Sequence, residues 1–288
     1  MHEAVARMLS KYETSSIENY TRAIREIFQE IALLGLWRGK FFERAAFYGD
    51  TALRIIYGLD RFSEDLDFTL LSPKEHFDMT QYTDAAEKEI QAFGFDVNIE
   101  VKKKTKKSAV QSAFLKAKTI EQLILINAPD EMTREIPRGQ VIKIRLEVDT
   151  DPPTSFQTDA KYLLTPIPFS VRTVTLPDLF AGKMHAVLCR RWKSRVKGRD
   201  WYDLIWFITY HPKLHLAHLE ARMRQTGDWN KKEVLTHNAF LEIMHERIES
   251  LDVGQARREV EPFVKNPDSL IIWSQKFFHE IVSRITLQ

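Results

Sequence analysis

Residues 47–70, FYGDTALRIIYGLDRFSEDLDFTL, decide the fold of this 288-residue chain. They predict the end of one strand, a turn with Gly49 and Thr51, a short apolar helix, and a second strand with Asp65 and Asp67. Because successive side chains of a strand alternate between its faces, the two aspartates point the same way. Neighbouring carboxylates repel each other unless a cation lies between them, and Mg²⁺ prefers such oxygen ligands. A small turn that opens a helix offers N–H groups to a phosphate, so the stretch predicts a site for a metal and a phosphate.

The composition is that of a globular protein with a sizeable core, since 44% of the residues are hydrophobic and 28% are charged. The 42 Lys and Arg residues nearly balance the 40 Asp and Glu residues, so a site for a polyanion depends on local clusters of cations. The single cysteine, Cys189, excludes an internal disulfide and a cysteine-rich zinc site. In its apolar helical context we expect a buried thiol rather than a nucleophile.

The sequence predicts a protein of the cytoplasm without a membrane anchor. The N-terminal residues lack the uninterrupted apolar segment of a signal peptide. Apolar runs elsewhere, of which residues 31–37 are the nearest case, fall far short of the ~20 residues that span a bilayer.

Patterns of apolar residues predict an α+β protein in which a sheet precedes a set of helices. Residues 15–18, SSIE, predict a capping box with Ser15 as the N-cap, ahead of an amphipathic N-terminal helix. Beyond residues 47–70, periodicity predicts a helix at 83–93 and strands at 95–101, 113–115, 123–126 and 141–149.

The segment 151–177 is rich in proline and predicts an irregular crossing. Because proline cannot donate to a strand ladder, we expect at most one edge strand there, near residues 169–175. From Pro177 onward the apolar spacing is helical. The sequence therefore predicts a domain over residues 1–176, which includes the N-terminal helix and the sheet, and a helical C-terminal domain over residues 177–288.

Glu147 and Asp149 form a second pair of carboxylates on one strand face, and their strand can lie beside the strand of Asp65 and Asp67. Three clustered acids suit two-metal phosphoryl transfer, in which one metal activates the attacking oxygen and the other stabilises the leaving pyrophosphate. An isolated Asp-x-Asp pair more often faces solvent at a strand end. The turn at Gly49 and the second acidic strand favour a metal site over that interpretation.

Lys183 lies at the edge of an apolar helical stripe. It can extend along the protein surface, or it can hold a triphosphate as a point charge. Asp200 and Asp203 share one helix face, because they are three residues apart. They can orient Lys183 or accept a proton from an attacking hydroxyl, or they can simply cap the helix and pair with Arg199.

Residues 190–199 form the densest basic segment of the chain, with Trp192 among the cations. An aromatic side chain among cations suits a nucleic-acid backbone and a stacked base, although such a segment is also typical of a solvated loop. The candidate RNA-binding residues are Arg190, Arg191, Lys193, Arg195, Lys197 and Arg199. The lysine run at residues 102–107 is more typical of a solvated hairpin tip.

At these residues the chain resembles the AbiEii/AbiGii toxin family of nucleotidyltransferase-like proteins. The resemblance is carried by GDT (49–51), RFSEDLDF (61–68), IRLEVD (144–149), AGKMHAVLCR (181–190) and RDWYDL (199–204). It implies a polymerase-beta-like nucleotidyltransferase domain with a mixed sheet, followed by a helical-bundle domain. It also implies transfer of a nucleoside monophosphate from an NTP, with Mg²⁺ or Mn²⁺, to an acceptor such as tRNA, and a possible DNA-binding antitoxin as partner.

The resemblance also assigns roles to single residues. Gly49 and Thr51 would cradle phosphates, Asp65 and Asp67 would bind metal with Glu147 or Asp149 as the third acid, Lys183 would hold the triphosphate, and Asp200 or Asp203 would support catalysis. One position departs from the family pattern, because Asp50 replaces the second glycine of the usual pair. Since Asp is a good N-cap, we expect Asp50 to point away from the nucleotide or to cap the following helix.

These observations favour a Mg²⁺-dependent nucleotidyltransferase toxin that acts on RNA. Because of Asp50, a degenerate relative that binds nucleotide or RNA without catalysis is the alternative. A third possibility is an enzyme that modifies a small molecule. The basic segment at residues 190–199 argues against it, because a small acceptor has no backbone for those charges to follow.

Overall fold

As far as the structure describes the chain, its first part combines the strands of the main sheet with six helices, and its second part is helical apart from two short strands. The computed structural model describes residues 1–74, 76–102, 109–134, 136–153, 155–190 and 196–288. The strands are β1 (Ala45–Tyr48), β2 (Leu66–Leu70), β3 (Asn98–Val101), β4 (Val110–Lys118), β5 (Val141–Asp149), β6 (Thr158–Leu163), β7 (Phe169–Val174), β8 (Lys213–Leu214) and β9 (Thr286–Leu287). The helices are α1 (Glu3–Leu9), α2 (Ile17–Arg38), α3 (Gly49–Tyr57), α4 (Thr80–Ala92), α5 (Thr119–Leu125), α6 (Asp130–Arg134), α7 (Leu176–Cys189), α8 (Gly198–Tyr210), α9 (Leu216–Thr226), α10 (His237–Glu249), α11 (Val253–Val260) and α12 (Gln275–Val282). Short 3₁₀ helices span Phe41–Glu43, Glu261–Phe263 and Pro267–Leu270.

The main sheet has seven strands in the order β3-β4-β5-β2-β1-β7-β6. Strand β2 lies at its centre, parallel to β5 and antiparallel to β1, and β1 is parallel to β7. On the other side of β5, the pairs β3–β4 and β4–β5 are antiparallel, while β8 and β9 form a separate parallel pair. The mixed sheet and its helices confirm the predicted α+β class.

Alternation along β5 gives this strand one buried and one open face. Ile142, Ile144, Leu146 and Val148 are almost completely buried, whereas the residues between them are exposed or half-buried. The apolar side packs into a core that the buried face of α2 completes, including Ile27 and Ile31. The polar residues of β5 are consequently left on the open face, where they are available for a site.

The chain divides into two units. Unit 1 comprises Met1–Ile56, Glu64–Pro152 and Asp159–Thr173, and unit 2 comprises Tyr57–Ser63, Pro153–Thr158 and Val174–Gln288. Unit 1 contains the main sheet apart from two strand-end residues, and unit 2 contains α7 to α12. Among the residues that the structure describes, no helix combines the length and the hydrophobicity that a bilayer crossing requires.

The N-cap of α2 is Ser16 and not the predicted Ser15. The hydroxyl of Ser16 accepts from the backbone N–H of Asn19 at 3.2 Å. Glu18 pairs with Arg22 one turn later, so its carboxylate serves a helical ion pair. The helix therefore begins one residue later than the capping box predicted.

Three strand predictions need correction. Residues 123–126 belong to α5 and its C-cap, because a short apolar run has no periodicity that separates helix from strand. Strand β7 exists but lies between β1 and β6 rather than at the edge. The edge strand is β6, in the proline-rich segment, and its exposed polar residues gave no apolar signal. Residues 103–107 of the predicted hairpin tip lie outside the described residues.

Candidate active site

The turn at Gly49 and the strand of Asp67 pack directly against each other. Gly49 has a φ of +80°, and a Cβ at this position would lie 2.7 Å from Oδ2 and 3.0 Å from Cβ of Asp67. A side chain here would thus be strained twice, by the backbone conformation and by the carboxylate. The buried Thr51 donates its hydroxyl to the backbone carbonyl of Asp65. The Gly-x-Thr turn and the Asp-x-Asp pair are therefore one structural feature of unit 1.

The parallel register of β2 and β5 places Glu147 directly beside Asp67. Leu66 and Phe68 are buried in the core, which turns Asp67 toward the opposite face of β2. Asp149 lies opposite Thr69, two positions further along, and accepts the backbone N–H of Asp151 at 3.0 Å. Of the two candidates for the third acid, Glu147 is the neighbour of Asp67.

Arg145 bridges two of these acids and was missed in the sequence analysis. Its Nη2 lies 2.7 Å from Oδ2 of Asp65, and its Nη1 lies 3.2 Å from Oε1 of Glu147. The guanidinium thus acts as a counter-ion for the acidic cluster of Asp65, Asp67 and Glu147. Its position two residues before Glu147, on the same face of an alternating strand, is the signal that could have identified it.

The acidic cluster concentrates negative charge around Asp67. Burial is the main cause that raises the pKa of Asp67 to about 7, and the neighbouring carboxylates of Asp50, Asp65 and Glu147 raise it further. Arg145 opposes this effect only in part. An all-oxygen donor set with this excess of negative charge fits Mg²⁺ or Mn²⁺, which Asp65, Asp67 and Glu147 would hold.

Asp50 does not behave as the sequence predicted. Helix α3 begins at Gly49, so Asp50 lies inside the first turn of the helix and not at its N-cap. Of the neighbouring charges, that of Asp50 raises the pKa of Asp67 most. Asp50 is therefore not the N-cap of α3, and its charge adds to the negative charge around Asp67. A negative charge in the first turn of a helix is itself favourable.

In unit 2, Lys183 is brought together with both aspartates that the sequence associated with it. Its Nζ lies 2.9 Å from Oδ1 of Asp200 and 2.6 Å from Oδ2 of Asp203, and its side chain is 7% exposed. Helix α7 carries the lysine and helix α8 carries the aspartates, whose i,i+3 spacing directs both toward it. The three groups form a buried ionic network that fixes the ammonium.

Arg61 completes this network and was also missed as a site residue. It is fully buried, and its Nε and Nη2 lie 2.6 and 2.5 Å from the two carboxylate oxygens of Asp203. Both oxygens of Asp203 thus bind cations. Asp203 is therefore better suited to position Lys183 than to accept a proton from an attacking hydroxyl. Arg61 opens the RFSEDLDF block, but a partner 142 residues away cannot be identified from spacing.

The basic segment is only partly described. Arg190 lies 3.0 Å from Asp200 through its Nη1, and Lys197 lies 3.7 Å from the same carboxylate. Arg199 pairs with Glu259 and stacks over the ring of Phe263 at 4.1 Å. These described members thus make contacts within unit 2. The candidate RNA contacts Arg191, Lys193 and Arg195 lie outside the described residues.

Comparison with known protein families identifies the chain. A family model described as "Nucleotidyl transferase AbiEii toxin, Type IV TA system" matches residues 31–277. The chain belongs to the AbiEii toxin family. The resemblance found in the sequence is thereby confirmed, and in this AbiEii protein the matching region includes the acidic cluster and the Lys183 network.

Solved structures show that the fold of this AbiEii protein is shared. JHP933 from Helicobacter pylori is 14% identical, with a TM-score of 0.51 over 91% of this chain and 94% of that chain. A "putative nucleotidyltransferase from H. pylori" is 16% identical, with a TM-score of 0.47 over 91% of each chain. The first of these likenesses establishes a common fold and nothing about activity. No curated protein matches the sequence significantly.

Proposed function

We propose that this AbiEii protein transfers a nucleoside monophosphate from an NTP to an RNA acceptor such as tRNA, with Mg²⁺ or Mn²⁺. The observation that carries the proposal is the parallel register that sets Glu147 beside Asp67, against the turn at Gly49. Membership of a nucleotidyl transferase toxin family supports the reaction class. The RNA acceptor rests on the basic segment at residues 190–199 and on the resemblance to the family.

The residues of unit 1 would bind the phosphates and the metal. Gly49 and Thr51 lie in the first turn of α3, where backbone N–H groups lack helical partners and favour an anion. Asp65, Asp67 and Glu147 would hold the divalent ions, which supply polarisation of the phosphate oxygens and activation of the attacking hydroxyl when bound. Arg145 offsets part of the negative charge of these same acids.

The network of unit 2 would position a cation for the triphosphate. The resemblance to the family assigns this role to Lys183. Its pairing with Asp200 and Asp203 supports a fixed ammonium, because two carboxylates hold it in one place. In this proposal Asp203 is a positioning residue that acts through Lys183 and Arg61.

The family description also bears on partners. A toxin family of type IV toxin–antitoxin systems implies an antitoxin and an NTP substrate. We propose in addition that the antitoxin binds DNA and that the toxin works in the cytoplasm during phage defence.

Substitution of the acids tests the proposed reaction. Purified protein is incubated with total RNA and each labelled NTP in turn, with and without Mg²⁺ or Mn²⁺. We expect metal-dependent incorporation of nucleotide, at a rate that falls at least ~100-fold in Asp67→Asn and Glu147→Gln. Loss of a residue that hydrogen-bonds to a metal ligand already lowers activity about 10- to 100-fold, and loss of the ligand itself should lower it further. The matched control is Glu121→Gln, an acid paired with Lys118, and it should retain the rate. Incorporation that persists in both acid variants would contradict the proposal.

Asp50 favours a second candidate, a relative that binds nucleotide or RNA without catalysis. Its negative charge lies near the expected phosphates. The two functions separate in one titration, because a catalytic site gains NTP affinity when Mg²⁺ is added and a pure RNA binder does not. Failure to incorporate any NTP, together with tight RNA binding that is independent of metal, would establish the second candidate.

A further inference from the structure

Helix α7 carries a histidine and a cysteine that the proposed reaction does not use. His185 and Cys189 are four residues apart, so their side chains lie on the same helix face. Lys183 is two residues before His185 and therefore faces another direction. The metal-binding potential of the pair is thus separate from the ionic network of Lys183.

A third ligand comes from the turn after helix α9. Gly227 has a φ of +79° and ends the helix in the left-handed conformation. This turn places Asp228 near α7, so that one ligand atom each of His185, Cys189 and Asp228 lies within 4.8 Å of the others. Ligands around a tetrahedral zinc ion are ~3.5 Å apart, as bond lengths of 2.0–2.3 Å require, so small side-chain rotations would close the cluster.

We propose that His185, Cys189 and Asp228 form a second metal site, which binds Zn²⁺ or a similar transition metal. The donor set determines the class of ion, because thiolate and imidazole ligands select Zn²⁺ over Mg²⁺. The acidic cluster offers only oxygen ligands and selects the opposite class. One chain would thus hold two kinds of metal at two separate sets of residues.

The surroundings of the imidazole support this role. The hydroxyl of Thr226 lies 2.9 Å from Nε2 of His185 and 2.6 Å from Oδ2 of Asp228. One side chain therefore contacts two of the three proposed ligands and orients both.

A cavity of about 520 Å³ adjoins the proposed site. Cys189 and Asp228 both line it, together with Met223, Trp229 and Ile243. Three protein ligands leave the fourth position of a tetrahedral ion open, and the cavity gives room for water or a small anionic ligand there. The positive charges of Arg190 and Arg222 would repel a bound cation. The thiolate of Cys189 and the carboxylate of Asp228 would together neutralise a divalent ion.

A cobalt titration of the full-length protein tests the site. Cys189 is the single cysteine of the chain, so any sulfur-to-cobalt charge-transfer band must arise from it. We expect this band to saturate at one equivalent of Co²⁺, to disappear when Zn²⁺ displaces cobalt, and to be absent in Cys189→Ser. His185→Gln and Asp228→Asn should weaken Co²⁺ binding by about 10- to 100-fold or more.

Two controls keep the test independent of the active site and of folding. Asp67→Asn should retain the band, because the acidic cluster contains no sulfur, and so should His279→Gln, which changes another histidine of unit 2. In the wild-type protein, one equivalent of Zn²⁺ should slow the reaction of Cys189 with a thiol reagent. A thiol that stays equally reactive, or a cobalt spectrum without the sulfur band, would show that the three residues only form a hydrogen-bonded cluster and would overturn the proposal.

Discussion

At the scale of single residues, the contact between Gly49 and Asp67 couples backbone conformation to the chemistry of the site. Gly94 has the same left-handed type of conformation, with a φ of +94°, but an added Cβ would meet no atom within 4 Å. Gly49 differs because the carboxylate of Asp67 occupies the space that a side chain would need. The position thus requires glycine for two separable reasons.

Substitution of these two glycines separates the two reasons. Gly94→Ala should lower the free energy of unfolding by about 1 kcal/mol, since it places a Cβ in the left-handed region, and Gly49→Ala should lower it by more, since its Cβ also meets the carboxylate of Asp67. Only Gly49→Ala should also displace the carboxylate of Asp67 and lower the rate of nucleotide incorporation, by about tenfold or more. Urea denaturation and the incorporation assay measure the two effects. Equal activity of both variants would show that the contact with Asp67 is unimportant.

At the scale of elements, regular patterns were predictable and irregular ones were not. Strand β5 was predicted with its observed ends, because four apolar residues alternate with polar ones over its whole length. Helix α5 was predicted in part as a strand, since four apolar residues are too few to show a helical period. Strand β6 was missed because a sheet edge needs no apolar alternation. An element can be predicted from local sequence only where one of its faces is buried, because its apolar residues then repeat at regular intervals.

The same limit applies to the candidate site. Strand alternation predicted a common face for Asp65 and Asp67, but β2 begins at Leu66, so Asp65 lies just before the strand. The sequence also allowed the strand of Glu147 to lie beside that of Asp67, as it does. The choice between Glu147 and Asp149 depended on the register of β2 and β5, which no local pattern fixes. The pairing of Arg61 with Asp203 depended on a contact between distant segments. Sequence thus predicted which residue types face the site but not their partners.

Helix α2 carries a half-buried acid, Glu30, whose charge depends on pH. Glu30 accepts the hydroxyl of Thr165 at 2.6 Å, and burial is the main cause that raises the pKa of Glu30 above its usual range. A carboxyl with a raised folded-state pKa contributes most to stability below its unfolded pKa, and this contribution is lost as the pH rises through the folded pKa. The ionised form of Glu30 therefore destabilises the fold at neutral and alkaline pH.

We expect Glu30→Gln to be more stable than the wild type at pH 8, by on the order of 1 kcal/mol. The advantage should vanish at acidic pH, where Glu30 is protonated and the amide keeps an oxygen for Thr165. Urea denaturation at several pH values measures the difference. Glu18→Gln, an exposed acid of the same helix, is the control and should show no such trend. A pH-independent difference between Glu30→Gln and the wild type would contradict the effect of burial.

At the scale of the whole molecule, the two units do not follow the order of the chain. Unit 2 consists of Val174–Gln288 and of two shorter segments, Tyr57–Ser63 and Pro153–Thr158. The first short segment supplies Arg61 to Asp203, and the backbone N–H of Phe62 donates to the carbonyl of Phe263 at 3.2 Å. Helices late in the chain thus depend on residues that precede most of the sheet.

This dependence predicts that a fragment of residues 177–288 will not fold alone. Without Arg61, Asp203 would stay fully buried with Lys183 as its remaining strong partner, and loss of one partner from a buried ion pair costs about 3–5 kcal/mol. That cost is comparable to the entire stability of many domains. The fragment should show no cooperative unfolding transition by circular dichroism, whereas the full chain of residues 1–288 should show one.

Point substitutions in the full chain test the same dependence. Arg61→Met should lower the free energy of unfolding by the same ~3–5 kcal/mol. Arg22→Met, which breaks the surface pair with Glu18, should lower it by less than about 1 kcal/mol. A fragment with its own sharp transition would show that Arg61 is dispensable for these helices.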